Sequence, residues 1–299
     1  MLFQDANPFD KRKNFRQMLK SGKLNRFPGA FNPLSAMMIE KKGFEGVYIS
    51  GSVLSNDLGY PDVGLTTMSE VASRGRQISR VTALPSIIDA DTGFGGAMNA
   101  ARTIQEFIEM GLSGCHLEDQ ENPKRCGHLD GKSLVSTSDM LQKIRAADQA
   151  RKVDPNFVII ARTDARASEG LEKAIERAKA YADAGADVIF TEALVDENEF
   201  ETFRKSVKVP LLANMTEFGK SKLLTTKQLE NAGYNIVIYP VTLLRLAMKA
   251  AENGLDSILK DGTQENSVKD MQTRQQLYDL TGYERYNEFD QNIYNFKLK

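Results

Sequence analysis

Leu84-Pro85-Ser86-Ile87-Ile88-Asp89-Ala90-Asp91, running on into Thr92-Gly93-Phe94-Gly95-Gly96, is the stretch whose reading decides the fold. Ser86–Asp89 is a short apolar run without polar alternation, the pattern of a parallel strand covered on both faces. It stops on two aspartates, and helical periodicity follows over Ala97–Met110. A doubly wound nucleotide-binding sheet would need G-x-G-x-x-G opening that helix. Gly93, Gly95 and Gly96 have the wrong spacing, and the two aspartates would repel a pyrophosphate. The unit instead suits a strand of a closed barrel, with its polar end at the barrel mouth.

The same unit recurs outward in both directions. Apolar runs stand at Phe27–Phe31, Val47–Ser50, Gly114–Glu118, Phe157–Arg162, Asp187–Glu192, Pro210–Asn214 and Asn235–Tyr239. Helical patterns at Ser138–Lys152, Leu171–Ala184 and Val241–Asn253 lie between or after them. Strands alternating with helices imply a parallel sheet, and eight of them predict a single α/β domain, a (β/α)8 TIM barrel. The expected organisation over residues 1–299 has three parts. An N-terminal helix lies within 1–26 (Asp10–Lys20), the barrel spans 27–254, and a helical extension occupies 255–299 with a pattern around Val268–Leu280.

Composition narrows the class. The chain of 299 residues carries 39 Lys+Arg against 40 Asp+Glu, a net charge of −1. That balance argues against a nucleic-acid or anionic-membrane binder, which needs a basic excess on one face. The one basic run, Lys11-Arg12-Lys13, reads as a solvated helix face. Two cysteines, Cys115 and Cys126, are too few for a disulfide framework. The start Met1–Pro8 lacks a secretory pattern, and no apolar run reaches membrane-spanning length. A cytoplasmic enzyme is expected.

The polar residues fall where a barrel enzyme keeps its chemistry, at the carboxyl ends of the strands. They are Asn32, Ser50, Asp89 with Asp91, Glu118 with Asp119, Arg162 with Asp164, Glu192 and Asn214. Residues i and i+2 of a strand share a face, so Asp89 and Asp91 can both point into the mouth. Two adjacent carboxylates need a cation or proton between them, and all-oxygen ligands favour Mg2+ or Mn2+. In Gly114-Cys115-His116-Leu117-Glu118-Asp119 the same parity pairs His116 with Glu118. Cys115 then faces the surrounding helices as a small core residue, and His116 reads either as a core histidine or as a neighbour of the metal ligands.

The loop Lys124-Arg125-Cys126-Gly127-His128 sets a thiol beside two cations, a glycine and an imidazole. The cations should lower the thiol pKa, and His128 can exchange protons near neutrality. Pro123, Gly127 and Gly131 suit a loop that gates a site. A basic surface turn would read the same; the nearby aspartate pair tips the balance toward chemistry.

Together these segments resemble the isocitrate lyase and phosphoenolpyruvate mutase superfamily, most closely its methylisocitrate lyases. The resemblance runs from Gly46-Val47-Tyr48-Ile49-Ser50-Gly51-Ser52 through Asp89–Gly95, His116–Gln120, Lys124–His128 and Ala161–Ala165 to Asn214–Phe218 and Met271–Arg274. The Lys-Arg-Cys-Gly-His loop is its specific part, since the family's phosphonate mutases lack the cysteine. The resemblance implies a Mg2+-dependent carbon–carbon lyase, with 2-methylisocitrate cleaved to pyruvate and succinate. Its nearest alternatives are cleavage of isocitrate, a related oxo-acid lyase or hydrolase activity, and phosphonate-forming mutase chemistry.

By the same resemblance Asp89 and Asp91 hold the metal, with Glu118 beside it. Cys126 is the acid that protonates carbon, and Tyr48, Lys124 and His128 assist the proton transfers. Substrate carboxylates fall to Ser50, Gly51, Ser52, Asp89, Cys126, Gly127, Arg162, Glu192, Asn214, Met215, Thr216, Arg245 and Arg274. Phe190 and Ile238 stand where the family accommodates the methyl group. Ser52 and Thr191 depart from the glycine and proline frequent at those positions. The extension is implied to exchange between subunits of a homotetramer, bringing Arg274 to an active site.

Overall fold

The computed structural model describes residues 6–128 and 131–295. Leu129 and Asp130, inside the expected gating loop, lie outside the described residues, as do the first five and last four positions. Two compact units divide the chain, Met1–Leu243 and Leu244–Lys299.

The first unit is the barrel. Its strands are β1 (Asn25–Pro28), β2 (Val47–Ile49), β3 (Ser86–Asp89), β4 (Gly114–Glu118), β5 (Val158–Thr163), β6 (Val188–Thr191), β7 (Leu211–Asn214) and β8 (Ile236–Tyr239). They form one eight-stranded sheet, every ladder parallel, in the order β1-β8-β7-β6-β5-β4-β3-β2. The ring is completed between β1 and β2 by a bridge of Gly29 to Tyr48, where the Ala30 N–H donates to the Tyr48 carbonyl at 2.8 Å. The helices of this unit are α1 (Pro8–Lys20), α2 (Pro33–Lys41), α3 (Gly51–Asp57), α4 (Met68–Ser79), α5 (Ala97–Glu109), α6 (Thr137–Ala150), α7 (Ala165–Ser168), α8 (Leu171–Asp183), α9 (Glu197–Ser206) and α10 (Thr226–Asn231). The helix α11 (Thr242–Asp261) follows the last strand. None of these helices is long and apolar enough to cross a membrane.

Strand parity sorts the core into two layers. Cys115, Leu117, Ile159, Ala161, Ile189 and Val237 join the outer cluster under the helices. Ile87, Val158, Ile160, Val188, Phe190, Leu212, Ile236 and Ile238 fill the barrel interior. Two residues beyond Ile87, Ile160, Phe190 and Leu212 come Asp89, Arg162, Glu192 and Asn214. The alternation that packs the interior therefore also aims these polar groups into the mouth.

At the opposite end α1 closes the barrel. Asn7 caps it, and Phe15 and Leu19 enter the interior cluster, with Phe15 5.5 Å from Phe27 between ring centroids. The expectation of a solvated basic face is corrected here. Lys11 and Arg12 are only 2% and 4% exposed. Lys11 Nζ donates to the Ser79 carbonyl at 2.7 Å. Arg12 donates to the Leu112 carbonyl at 2.8 Å and pairs with Asp154 at 2.6 Å. Helix and loop ends expose carbonyls that need donors, and cations suit them. Only Lys13 of the three is exposed.

The second unit holds most of α11, then α12 (Arg274–Thr281) and α13 (Tyr283–Tyr294). α11 runs eight residues past the helical pattern read at Val241–Asn253, ending at Asp261. No residue of α11, α12 or α13 is buried. Leu246, Met248, Leu255 and Leu259 of α11 are all exposed.

Candidate active site

The mouth of the barrel collects the charged residues that parity aims there, and the backbone bends to admit them. Asp91, Phe94, Ala193 and Phe218 all have positive φ without being glycine, and all follow β3, β6 or β7. Such strain concentrates at functional sites. Asp91, two residues past the end of β3, takes φ 46, and its carboxylate lies with that of Asp89 against Gly51. The Asp91 N–H donates to Asp89 Oδ1 at 3.0 Å, and the Gly51 N–H donates to Asp89 Oδ2 at 3.2 Å. A Cβ on Gly51 would stand 2.9 Å from Asp89 Oδ2 and 3.2 Å from Asp91 Oδ1, so glycine is what lets the backbone approach both carboxylates.

Burial pushes the carboxyl pKa of both aspartates up, against the pull of Lys124. Two buried carboxylates this close repel one another, and further positive charge between them would favour their ionised forms. Lys124 Nζ lies 2.9 Å from Asp91 and also pairs with Asp62. Burial alone would depress this ammonium, but Asp91 and Glu118 outweigh it and hold it charged. Glu118 is fully buried with no hydrogen-bond partner for either carboxylate oxygen, and burial raises its pKa well above the usual carboxylate range. Among the described residues no group of three or more His, Cys, Asp or Glu is arranged to hold a metal. Two carboxylates, with Glu118 as a third that makes no hydrogen bond and meets only Arg162, fit a divalent cation that keeps most of its waters.

Tyr48 and His116 share a hydrogen bond of 2.8 Å between the hydroxyl and Nε2. Burial, helped by the Arg162 charge, lowers the His116 pKa to about 3, so the ring is neutral. Burial and the Asp89 charge raise the Tyr48 phenol well above its ordinary value, which makes it a proton holder rather than a ready base. Phe190, 1% exposed, lies edge-on to His116 at 5.4 Å and 5.2 Å below the Arg162 guanidinium.

From β5, Arg162 reaches Glu118 at 3.1 Å, Asp164 at 3.0 Å and Glu192 at 3.4 Å. His128 Nδ1 accepts the Lys220 N–H at 3.0 Å, leaving Nε2 to donate to Glu192 at 2.9 Å. Burial would raise the Glu192 pKa; Arg162 and His128 outweigh it and hold the group ionised. Asn214 Nδ2 donates to both Glu192 oxygens at 3.3 Å. Gly127 is packed onto this cluster so tightly that a Cβ would fall 2.2 Å from Arg162 Nη2 and 2.4 Å from Glu192 Cγ. The loop of Cys126 is therefore docked against Arg162 and Glu192.

The thiol departs from expectation in one respect. Burial raises the Cys126 pKa, with only a partial pull downward from the His128 N–H. Lys124 is spent on Asp62 and Asp91, and Arg125 is exposed, so neither cation lowers it. Met215 also differs: its side chain joins the outer core, where Sδ accepts the Leu224 N–H at 3.2 Å. Ser50 and Thr216 are buried in the strand-end loops, and Ser52 is half-buried in α3. Arg245 lies on α11 and Arg274 opens α12, both in the second unit. Asp62 and Lys132 are site residues that the sequence reading missed. Both sit in loops, where no periodicity marks a direction.

An eight-stranded parallel barrel with carboxylates, a guanidinium and a loop-borne thiol at one mouth has the layout of a barrel enzyme. The family model described as phosphoenolpyruvate phosphomutase matches residues 15–259. A probable 2-methylisocitrate lyase of Corynebacterium glutamicum is 57% identical over 99% of this chain and 96% of its own. The 2-methylisocitrate lyase of Escherichia coli is 42% identical over 94% of this chain and 96% of its own. Among solved structures, oxaloacetate acetylhydrolase superposes with a TM-score of 0.91 at 32% identity, covering 98% of this chain and all of its own. A phosphonopyruvate hydrolase, in complex with oxalate and Mg2+, gives a TM-score of 0.85 at 32% identity, over 93% of this chain and 97% of its own. The chain belongs to the phosphoenolpyruvate mutase/isocitrate lyase superfamily.

Proposed function

We propose that this protein is a carbon–carbon lyase that cleaves 2-methylisocitrate to pyruvate and succinate, with a divalent cation, Mg2+, held by Asp89 and Asp91. The observation that carries this reading is the docking of Gly127, next to Cys126, on Arg162 and Glu192 at the mouth that also holds the aspartate pair. The bound cation would supply positive charge for the hydroxyl and carboxylate at the carbon that becomes the pyruvate carbonyl.

The remaining chemistry belongs to the side chains. Loss of the substrate's hydroxyl proton lets the neighbouring carbon–carbon bond break. The bond's electron pair stays on the succinate half as a carbanion delocalised into its carboxylate. Arg162 provides the fixed cation for that developing charge, oriented by Asp164 and Glu192. Cys126 then donates its proton to that carbon. A raised pKa keeps it a thiol at neutral pH, the form an acid needs. The hydroxyl proton passes to a neighbouring carboxylate, while Tyr48 and His116 keep the proton of their own hydrogen bond beside Asp89. His128 and Asn214 fix Glu192.

Arg245, Arg274 and the exposed apolar faces of α11 and α13 support a homotetramer in which the second unit completes a neighbour's site. Two free cysteines and an acid–base balance near neutrality support a cytoplasmic setting. Product analysis tests the function. With Mg2+ the protein should release pyruvate and succinate in equal amounts from 2-methylisocitrate, and more slowly from isocitrate. The preference turns on one methyl against Phe190 and Ile238, worth about 10- to 200-fold in an apolar pocket. A faster reaction with isocitrate would reverse the assignment.

A further inference from the structure

Lys132 is a buried cation that the reaction as derived above does not use. Its side chain is 2% exposed and that of Asp164 is wholly buried. Lys132 Nζ reaches Asp164 Oδ1 at 3.0 Å and donates a second bond to the Gly127 carbonyl. Asp164 in turn accepts from Arg162 Nε at 3.0 Å and Nη2 at 3.1 Å. A single ammonium thus ties the backbone beside Cys126 to the carboxylate that orients Arg162.

Two physical consequences follow. A buried carbonyl left without a donor is costly, so without Lys132 the docked position of Gly127 is disfavoured. The charge balance shifts as well. Arg162 faces Glu118, Asp164 and Glu192, and Lys132 is the second cation on Asp164. When a substrate carboxylate takes a share of Arg162, Lys132 keeps Asp164 compensated and in place. Lysine suits the role because one ammonium can donate in several directions at once.

We infer that Lys132 is a positioning residue for this reaction, setting the docked position of the Cys126-Gly127 segment on the Arg162–Asp164 pair. The inference rests on Cys126 acting as the acid of the lyase reaction, but its first test needs no turnover. Cys115 is wholly buried and Cys126 is not, so iodoacetamide reads the accessibility of Cys126. In Lys132→Met the alkylation rate should rise about fivefold or more, as expected if a docking free energy of roughly 1 kcal/mol is lost. kcat should fall about 10- to 100-fold with KM for 2-methylisocitrate little changed, since a misplaced acid slows chemistry more than binding. Lys132→Arg should restore part of both.

If Lys132→Met fails to fold, Asp164→Asn keeps an acceptor while removing the charge and should raise alkylation in the same direction. Unchanged alkylation in a folded variant would overturn the inference. So would loss of KM and kcat together with no rescue by arginine. Faster alkylation in a protein that cleaves no 2-methylisocitrate would leave the positioning role standing and sink the proposed function instead.

Discussion

Cys115 and Cys126 carry one chemical group into two environments, set by which side of a strand or loop each occupies. Cys115 is fully buried in the outer core, where burial raises its pKa far out of the working range. Cys126 is half-buried on the loop that touches Arg162 and Glu192 through Gly127. Cys126→Ser should keep metal and substrate binding and lose about 10²- to 10⁴-fold in turnover, because a hydroxyl is a far weaker acid than a thiol. Cys115→Ser should cost about 1–3 kcal/mol in urea unfolding, from an unsatisfied buried hydroxyl, with kcat preserved. Near-normal turnover of the first variant would remove Cys126 from the mechanism. At this scale the strand residues were legible. Asp89, Glu118, Arg162, Glu192 and Asn214 each follow from period-two parity once the strands are placed. The Cys126 pKa was not legible, because the partners of Lys124 and the orientation of Arg125 depend on tertiary packing.

At the level of elements, β3 and β4 match the sequence reading residue for residue, and the remaining strands differ by a few residues at their ends. Their apolar runs are short and bounded by polar residues on both sides. α13 went unread because Tyr283–Tyr294 mixes charge and aromatics without a clear stripe. α1 agrees with the helix expected over Asp10–Lys20, but Lys11 and Arg12 of its basic run are buried rather than solvated. Periodicity tells which residues share a face, not that the face meets the open carbonyls at Ser79 and Leu112. Lys11 gives this a testable form. Burial, only partly opposed by Glu40, lowers its pKa to about 8. The unfolded chain holds this proton up to an ordinary value of about 10.4. Between those values the unfolded state binds more protons, so Lys11 makes the folded state gain stability as pH rises. Urea unfolding of wild type and Lys11→Met should show wild type gaining on the variant from about pH 8 to 10.5, with a constant difference below pH 8. A difference that stays constant across the whole range would contradict it.

For the whole molecule, the barrel was legible because eight strand–helix units leave one closed parallel arrangement, whereas the role proposed for the last fifty-odd residues involves other copies of the chain. The second unit buries none of the residues of α12 and α13. Exposed apolar residues on these helices are what the proposed assembly would cover. A chain ending near Gly262 removes α12, α13 and Arg274. It should fall to a lower oligomeric state in solution scattering and lose activity. An active monomer would contradict the proposed assembly.

The most direct test of the lyase assignment is the product-forming reaction run in D2O with Mg2+ and followed by NMR. Cleavage of 2-methylisocitrate with protonation of the departing carbon by an exchangeable thiol predicts pyruvate and singly deuterated succinate in equal amounts. Intact 2-methylisocitrate after prolonged incubation with metal-loaded protein, or pyruvate without succinate, would contradict the account.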